Sequence, residues 1–283
     1  MSDSYNKIMG LAGNADLKKV VSRWEKLALN LEKTASASIQ VTMPNMLWRS
    51  RSGVGQTTML GYIADYLRER HLIEFKGSVD FIEFILKREG EERSFNELVR
   101  LDSALNSVSG HHNVFKGIVC IDITDWAEKL SDSRFASFLE YIKAHDGDWL
   151  TILTANCPKE ETLAQLYAYI HSFFRVELVH TAFPESSEMT AYLNRKLNAA
   201  GFTLTAEAEK LLRESMTEMS RSNIYDGYNT IRQLSQEIIY HILSTKDEIS
   251  FTVTENDVEE FSIDSEYMKF YKKSEETRNR IGF

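Results

Sequence analysis

Cysteine and long apolar segments are scarce in this sequence. Its 283 residues contain two cysteines, Cys120 and Cys157, too few for a disulfide framework or a four-ligand zinc site. Free thiols suit a reducing compartment. No segment approaches the roughly 20 consecutive apolar residues that span a bilayer, and the N-terminus lacks the apolar core of a signal peptide. We therefore expect a cytoplasmic protein that does not enter a membrane.

Positive charge is also in deficit. The chain has 33 Lys and Arg against 42 Asp and Glu, a net charge of −9 at pH 7. A field of this sign disfavours attraction to nucleic acid or to an anionic membrane, so we expect protein partners instead. The length predicts about two compact units. A content of 43% hydrophobic and 27% charged residues is typical of a globular protein.

Strands and helices alternate through the first two thirds of the chain. The most apolar segment, residues 117–124, has the near-continuous apolar run of a central parallel strand that is covered on both faces. Further strands are predicted at 45–48, a short apolar run, at 79–86, which is rich in β-branched and aromatic residues, and at 149–154 and 174–180. Helical apolar spacing separates them. This alternation predicts an α/β fold, a five-stranded parallel sheet in an αβα sandwich.

From residue 186 onward the apolar spacing is helical, interrupted at Phe251–Thr254. We place a domain boundary at Pro184, where the pattern changes. The predicted domains are an αβα domain over residues 1–183, a helical domain over 184–263 and a charged tail over 264–283.

The loop after the first strand compares with the P-loop pattern G-x-x-x-x-G-K-[ST]. In that pattern backbone N–H groups and a lysine hold phosphates, and the hydroxyl holds Mg²⁺. The corresponding octet, residues 50–57, has Ser50 for the first glycine and Gln56 for the lysine. A structural glycine turn between a strand and a helix fits the bare pattern about as well. As a nucleotide site the loop would use Gly53, Val54, Gly55, Gln56, Thr57 and Thr58.

Polar residues end the next two central strands. Asp122 closes the apolar run that begins at Ile118, where a P-loop protein has the carboxylate that holds Mg²⁺ together with the loop hydroxyl, here Thr57. Asn156 follows the next strand, at the place of a polar residue near the γ-phosphate. Each has a simpler interpretation, Asp122 as the cap of the following turn and Asn156 as a turn residue. The sequence leaves both alternatives open.

In this order, and followed by a helical segment, these features resemble the AAA+ family of P-loop ATPases over nearly the whole chain. The nearest type is that of bacterial rubisco activases and sporulation proteins. Ile8–Leu11 looks like the opening motif of that group, and the resemblance places the backbone around Met9 against the adenine. It implies a P-loop αβα sandwich, a four-helix lid, and ATP or ADP bound with Mg²⁺ through Thr57 and Asp122.

Besides the missing lysine, three positions depart from that family. Ile123 stands where the family has the glutamate that orients the attacking water, and Asp125, three positions after Asp122, would compensate only if the strand end were rebuilt. The arginine-finger segment corresponds to residues 171–174, which contain no arginine. Asn229 falls on the sensor-2 arginine, and Arg232 lies one helical turn later.

These departures predict a pseudo-ATPase. Loss of the lysine removes about 1.5–3 kcal/mol of binding, so we expect Mg-ATP or Mg-ADP to bind weakly or not at all. An arginine finger is worth about 10³–10⁵ in rate. We predict a regulatory or scaffolding subunit whose partner is an active AAA+ relative or another copy of the chain. The alternative is an active ATPase that remodels a protein partner, with candidate catalytic residues Asp122, Asp125, Asn156 and Arg232.

Overall fold

The computed structural model describes residues 2–11, 14–34, 41–51, 53–88, 96–110, 114–181, 184–222, 224–246 and 250–269. Contacts within the chain divide it into two units. The first comprises Met1–Arg51 and Gln56–Ala182, and the second comprises Ser52–Gly55 and Phe183–Phe283. None of the described helices combines the length and the apolarity that crossing a bilayer requires.

A five-stranded sheet forms the centre of the first unit. Its strands span Asn45–Arg49 (β1), Phe81–Ile85 (β2), Ile118–Asp122 (β3), Leu150–Ala155 (β4) and Val176–His180 (β5). Their order in the sheet is β2-β3-β4-β1-β5, and every neighbouring pair is parallel. The prediction of an α/β fold with five parallel strands is confirmed.

Helices cover the sheet of the first unit. Those described span Asp3–Met9 (α1), Ala15–Lys33 (α2), Gln56–Glu69 (α3), Asn96–Ser109 (α4), Ser133–Ala144 (α5) and Glu160–His171 (α6). Strand β4 is buried throughout and β3 is buried up to Asp122, as continuous apolar runs require of strands with two covered faces. Large aromatic rings fill part of this core, where Trp126 stacks on Phe135 with centroids 5.7 Å apart.

Three strands are shorter than predicted. The strand predicted over 79–86 spans Phe81–Ile85, and local hydrogen bonds shorten the other two. The strand predicted over 117–124 ends at Asp122, whose carboxylate accepts from the Thr124 N–H at 2.9 Å. This bond turns the chain into a short 3₁₀ helix, Thr124–Trp126. The strand predicted over 174–180 begins at Val176, because the N–H groups of residues 173 and 174 bond to the carbonyl of Ile170 at the end of α6.

The second unit is mainly helical, as predicted. Its described helices span Ser186–Ala199 (α7), Ala206–Met219 (α8), Gly227–Thr245 (α9) and Glu255–Asp264 (α10), and Thr203–Leu204 (β6) pairs in parallel with Thr252–Val253 (β7). Capping boxes begin α7 and α10, which satisfies N–H groups that have no partner inside a helix. The predicted tail, residues 264–283, lies outside the described residues from 270 onward.

Candidate functional site

The glycine loop connects β1 to α3, as the strand–loop–helix pattern predicts. Gly53 and Gly55 have φ of +75° and +83°, a left-handed conformation that glycine adopts without steric cost. Gln56 and Thr57 are the first two residues of α3. Ser52 lies outside the described residues.

The side chains of Gln56 and Thr57 both donate to Glu83 on β2. Thr57 Oγ1 lies 3.0 Å from Glu83 Oε2 and 3.3 Å from Oε1, and Gln56 Nε2 lies 3.2 Å from Glu83 Oε1. In a P-loop the side chain at the position of Gln56 faces the β and γ phosphates, and the side chain at the position of Thr57 faces Mg²⁺. Here a carboxylate of the chain itself accepts from both.

The rest of the Gln56 amide is also bonded. Its Oε1 accepts from Ser50 Oγ at 3.3 Å, and its Nε2 also donates to Cys120 Sγ at 3.4 Å. Burial, followed by the carboxylates of Glu83 and Asp122, raises the pKa of the Cys120 thiol. A lysine has no acceptor for the Ser50 hydroxyl, so the two departures from the P-loop pattern, Ser50 and Gln56, form one matched pair.

Sequence reasoning missed Glu83. It lies inside an apolar strand, Phe-Ile-Glu-Phe-Ile, where no motif falls. Because β2 is at the edge of the sheet, this side chain remains exposed. The strand register places Glu83 opposite Cys120 on β3. A charged residue in the middle of an apolar strand was the signal that would have found it.

Asp122 accepts two hydrogen bonds from Thr124, from the N–H at 2.9 Å and from Oγ1 at 2.6 Å. The Thr124 hydroxyl oxygen in turn accepts from the N–H of Asn156 at 3.1 Å. The structure therefore brings Asp122 and the backbone of Asn156 to the same end of the sheet, with Thr124 between them. Asp122 thus stabilises the following turn from one position before its N-cap, which is Ile123, and its role as a magnesium ligand stays a prediction.

Neither Ile123 nor Asp125, the residues that follow Asp122, presents a free carboxylate at the end of β3. Ile123 is fully buried, so a glutamate at this position would place a carboxylate inside the apolar core. Asp125 lies in the 3₁₀ helix, and its carboxylate accepts from the N–H of Arg88 at 3.4 Å. Position 123 therefore presents no exposed side chain at the end of this strand.

The segment at the predicted arginine-finger position packs on the core of the first unit. Phe174 is buried, and Phe173 meets Tyr169 edge to face with centroids 5.4 Å apart. The adjacent Arg175 is exposed, and its guanidinium lies 3.8 Å from Glu177. Of the two positions where the family has arginines, 173 is a phenylalanine packed against the core and 171 is an exposed histidine.

The loop residues 53–55 group with the helical unit. The N–H of Tyr228 donates to the Gly53 carbonyl at 2.8 Å, and a Cβ on Gly53 would lie 2.0 Å from the Asp226 carbonyl oxygen. Only glycine allows this close approach. Asn229, the predicted sensor-2 residue, donates to the Asp226 carboxylate at 2.8 Å.

The remaining predicted residues differ in exposure. Val54 is buried, Met9 is the half-buried last residue of α1, and Thr58 and Arg232 are exposed. Within the described ranges, no three His, Cys, Asp or Glu side chains come together as a metal site would require.

No family model and no curated protein matches this chain. Solved structures of RuvB from Thermotoga maritima do match it. One point mutant gives a TM-score of 0.55 at 15% identity over 90% of this chain and 71% of that chain. A second point mutant gives 0.54 at 14% identity over 89% and 69%, and a structure described as a Holliday junction branch migration motor gives 0.50 at 14% identity over 87% and 68%. The likeness shows an AAA+ fold.

Within this AAA+ fold, the loop side chains do not fit Mg²⁺ and a polyphosphate as they are arranged. Gln56 supplies no positive charge, and both it and Thr57 donate to the Glu83 carboxylate. Asp122 is bonded to Thr124. A nucleotide phosphate entering this arrangement would meet a carboxylate where a P-loop offers a lysine.

Proposed function

We propose that the chain is an AAA+-like pseudo-ATPase, which binds Mg-ATP or Mg-ADP weakly or not at all and acts as a regulatory or scaffolding subunit in a protein assembly. One observation carries this proposal: Gln56 and Thr57, at the positions that meet the phosphates and Mg²⁺ in a P-loop, donate to Glu83. Binding a nucleotide would break these bonds and bring a polyanion toward a carboxylate. Without the lysine, no charge-assisted bond of about 1.5–3 kcal/mol offsets that cost.

The groups that would act on the transition state are a separate reason to expect no hydrolysis. Position 123 is a buried isoleucine, and the segment at the arginine-finger position packs on the core through Phe173 and Phe174. An arginine finger contributes about 10³–10⁵ in rate. Hydrolysis that has lost both groups falls toward the uncatalysed rate.

A subunit without hydrolysis acts by binding, and we propose that its partner is an active AAA+ relative or another copy of the chain. The net charge of −9 argues against a nucleic-acid partner. We place the protein in the cytoplasm, since Cys120 and Cys157 are buried and unpaired, as suits a reducing compartment.

The comparisons favour one alternative. A matching structure is described as a Holliday junction branch migration motor, which is a reason to keep an active AAA+ ATPase as the alternative; that its substrate is a protein partner is our proposal alone. In that case Asp122, Asp125, Asn156 and Arg232 supply the catalytic groups.

Phosphate release from Mg-ATP by the purified chain separates the two functions. For the pseudo-ATPase we expect background rates that are equal for the wild type and Asp122→Ala. Turnover above background that Asp122→Ala abolishes would overturn the proposal in favour of the active ATPase. Sedimentation over a range of protein concentrations tests whether copies of the chain assemble.

A further inference from the structure

The carboxylate of Glu83 has neutral hydrogen-bond donors as neighbours. Its two oxygens accept from the Thr57 hydroxyl at 3.0 and 3.3 Å and from the Gln56 amide at 3.2 Å. In the described part of the chain, no Lys, Arg or His forms an ion pair with Glu83. The negative charge of Glu83 is therefore not neutralised at the start of α3.

This arrangement resembles the way a phosphate is held. In a P-loop the side chain that precedes the hydroxyl donates to phosphate oxygens at the first turn of a helix, where the backbone N–H groups favour negative charge. Here the Gln56 amide, at that position, donates to the Glu83 carboxylate instead. Glu83 reaches this place from the middle of β2, because the edge strand leaves its side chain exposed. A phosphate group at this place would compete with Glu83 for the Gln56 amide and would be repelled by the charge of Glu83.

We propose that Glu83 determines the ligand specificity of this loop: its carboxylate takes the place of a phosphate and excludes polyanionic nucleotides. The inference rests on the proposed function, since both concern the same loop. It adds that the charge of Glu83 is what keeps nucleotide phosphates out. A neutral nucleoside has no group that competes with Glu83, so Glu83 discriminates against Mg-ATP and not against adenosine.

Titration of Mg-ATP and of adenosine onto the wild type and Glu83→Gln tests this inference. Glu83→Gln keeps the shape of the side chain and removes its charge. We expect it to raise the affinity for Mg-ATP by about tenfold or more, since the repelling charge is lost and a neutral amide oxygen holds the two donors less strongly than a carboxylate, and to leave the affinity for adenosine within about twofold. Glu161→Gln, an exposed carboxylate in the first turn of α6, is the matched control for net charge and should change neither affinity.

Several results would overturn the inference. They are an unchanged affinity for Mg-ATP, an equal gain for adenosine, and the absence of Mg-ATP binding by both proteins. A loss of Mg-ATP affinity in Glu83→Gln would show instead that Glu83 helps to hold the metal.

Folding of the variants is checked by thermal unfolding. Glu83→Thr, whose β-branched side chain suits an exposed edge strand, is a second variant for which the same affinities are expected. The proposed function is decided separately, by phosphate release from the wild type. A wild type that hydrolyses ATP would overturn the pseudo-ATPase, while the comparison of Glu83→Gln with the wild type would still measure the effect of the carboxylate.

Discussion

The hydroxyl of Thr57 donates a hydrogen bond to the carboxylate of Glu83 at 3.0 Å. A P-loop hydroxyl at this position holds Mg²⁺ together with a carboxylate at the end of a central strand, here Asp122 on β3. In this chain Glu83 contacts the hydroxyl directly, while Asp122 accepts from Thr124. The side chains that most resemble a nucleotide site are therefore bonded to other residues of the first unit, Glu83 and Thr124.

The effect of Gln56→Lys depends on Glu83. A lysine placed beside Glu83 would form an ion pair with it, so we expect Gln56→Lys alone to raise Mg-ATP affinity by less than about threefold. In a Glu83→Gln background the same change should raise affinity by about tenfold, because the ammonium is then free to meet the phosphates. Titration of Mg-ATP onto the four proteins of this double-mutant cycle measures the difference. Equal gains in the two backgrounds would contradict the prediction.

Gly53→Ala should destabilise the helical unit by about 2–4 kcal/mol. An alanine must adopt a left-handed φ, which costs about 1–2 kcal/mol, and its Cβ would meet the Asp226 carbonyl at 2.0 Å. Gly110→Ala is the matched control, since its φ is +64° but no atom lies within 4 Å of the added Cβ; it should cost about 1–2 kcal/mol. Urea unfolding measures both, and equal costs would show that the close approach at Gly53 has no effect on stability.

Asp122 and Thr124 should be energetically coupled. We expect Asp122→Ala to lower the free energy of unfolding by about 1–2 kcal/mol, because it removes the acceptor of two hydrogen bonds. Thr124→Ala removes one of the donors, so the double variant should lose less than the sum, by about 0.5 kcal/mol or more. Asp125→Ala, an exposed carboxylate with one bond of 3.4 Å, is the control and should cost little. Strict additivity in denaturant unfolding would show that the bonds between Thr124 and Asp122 do not stabilise the turn.

The stability contributed by Glu74 should depend on pH. Hydrogen bonds from Lys116 and then Lys76 lower the pKa of Glu74 from 4.5 to about 2. A carboxylate whose pKa is lower in the folded state stabilises the fold above its unfolded pKa and loses that effect as pH falls through the folded pKa. Glu74→Gln should therefore lower the thermal unfolding temperature at pH 7, and the difference from the wild type should shrink between about pH 4.5 and pH 2. Glu140→Gln, whose ion pair with Lys143 is 3.8 Å long, should differ little from the wild type at either pH.

The sequence by itself determined the class of fold and the departures from the P-loop pattern. The apolar run of β3 and the helical spacing after the glycine loop are local features. Each can be recognised within one element, because the face of an element that is buried sets the spacing of its apolar residues. Gln56 and Ile123 could be recognised because their positions are counted from nearby glycines and from the end of a strand. The shortened end of β3 was not predicted, since it depends on the bonds between Thr124 and Asp122.

Only the tertiary structure decided which side chains meet the loop. Thr57 and Glu83 are 26 residues apart in sequence, and their contact depends on the register that places Glu83 opposite Cys120 on the neighbouring strand. The bond from Tyr228 to Gly53 likewise joins segments that no short pattern relates. A shift of one residue in a strand turns its side chains to the other face, so the partner of a loop residue follows from strand register and packing, which local spacing does not contain.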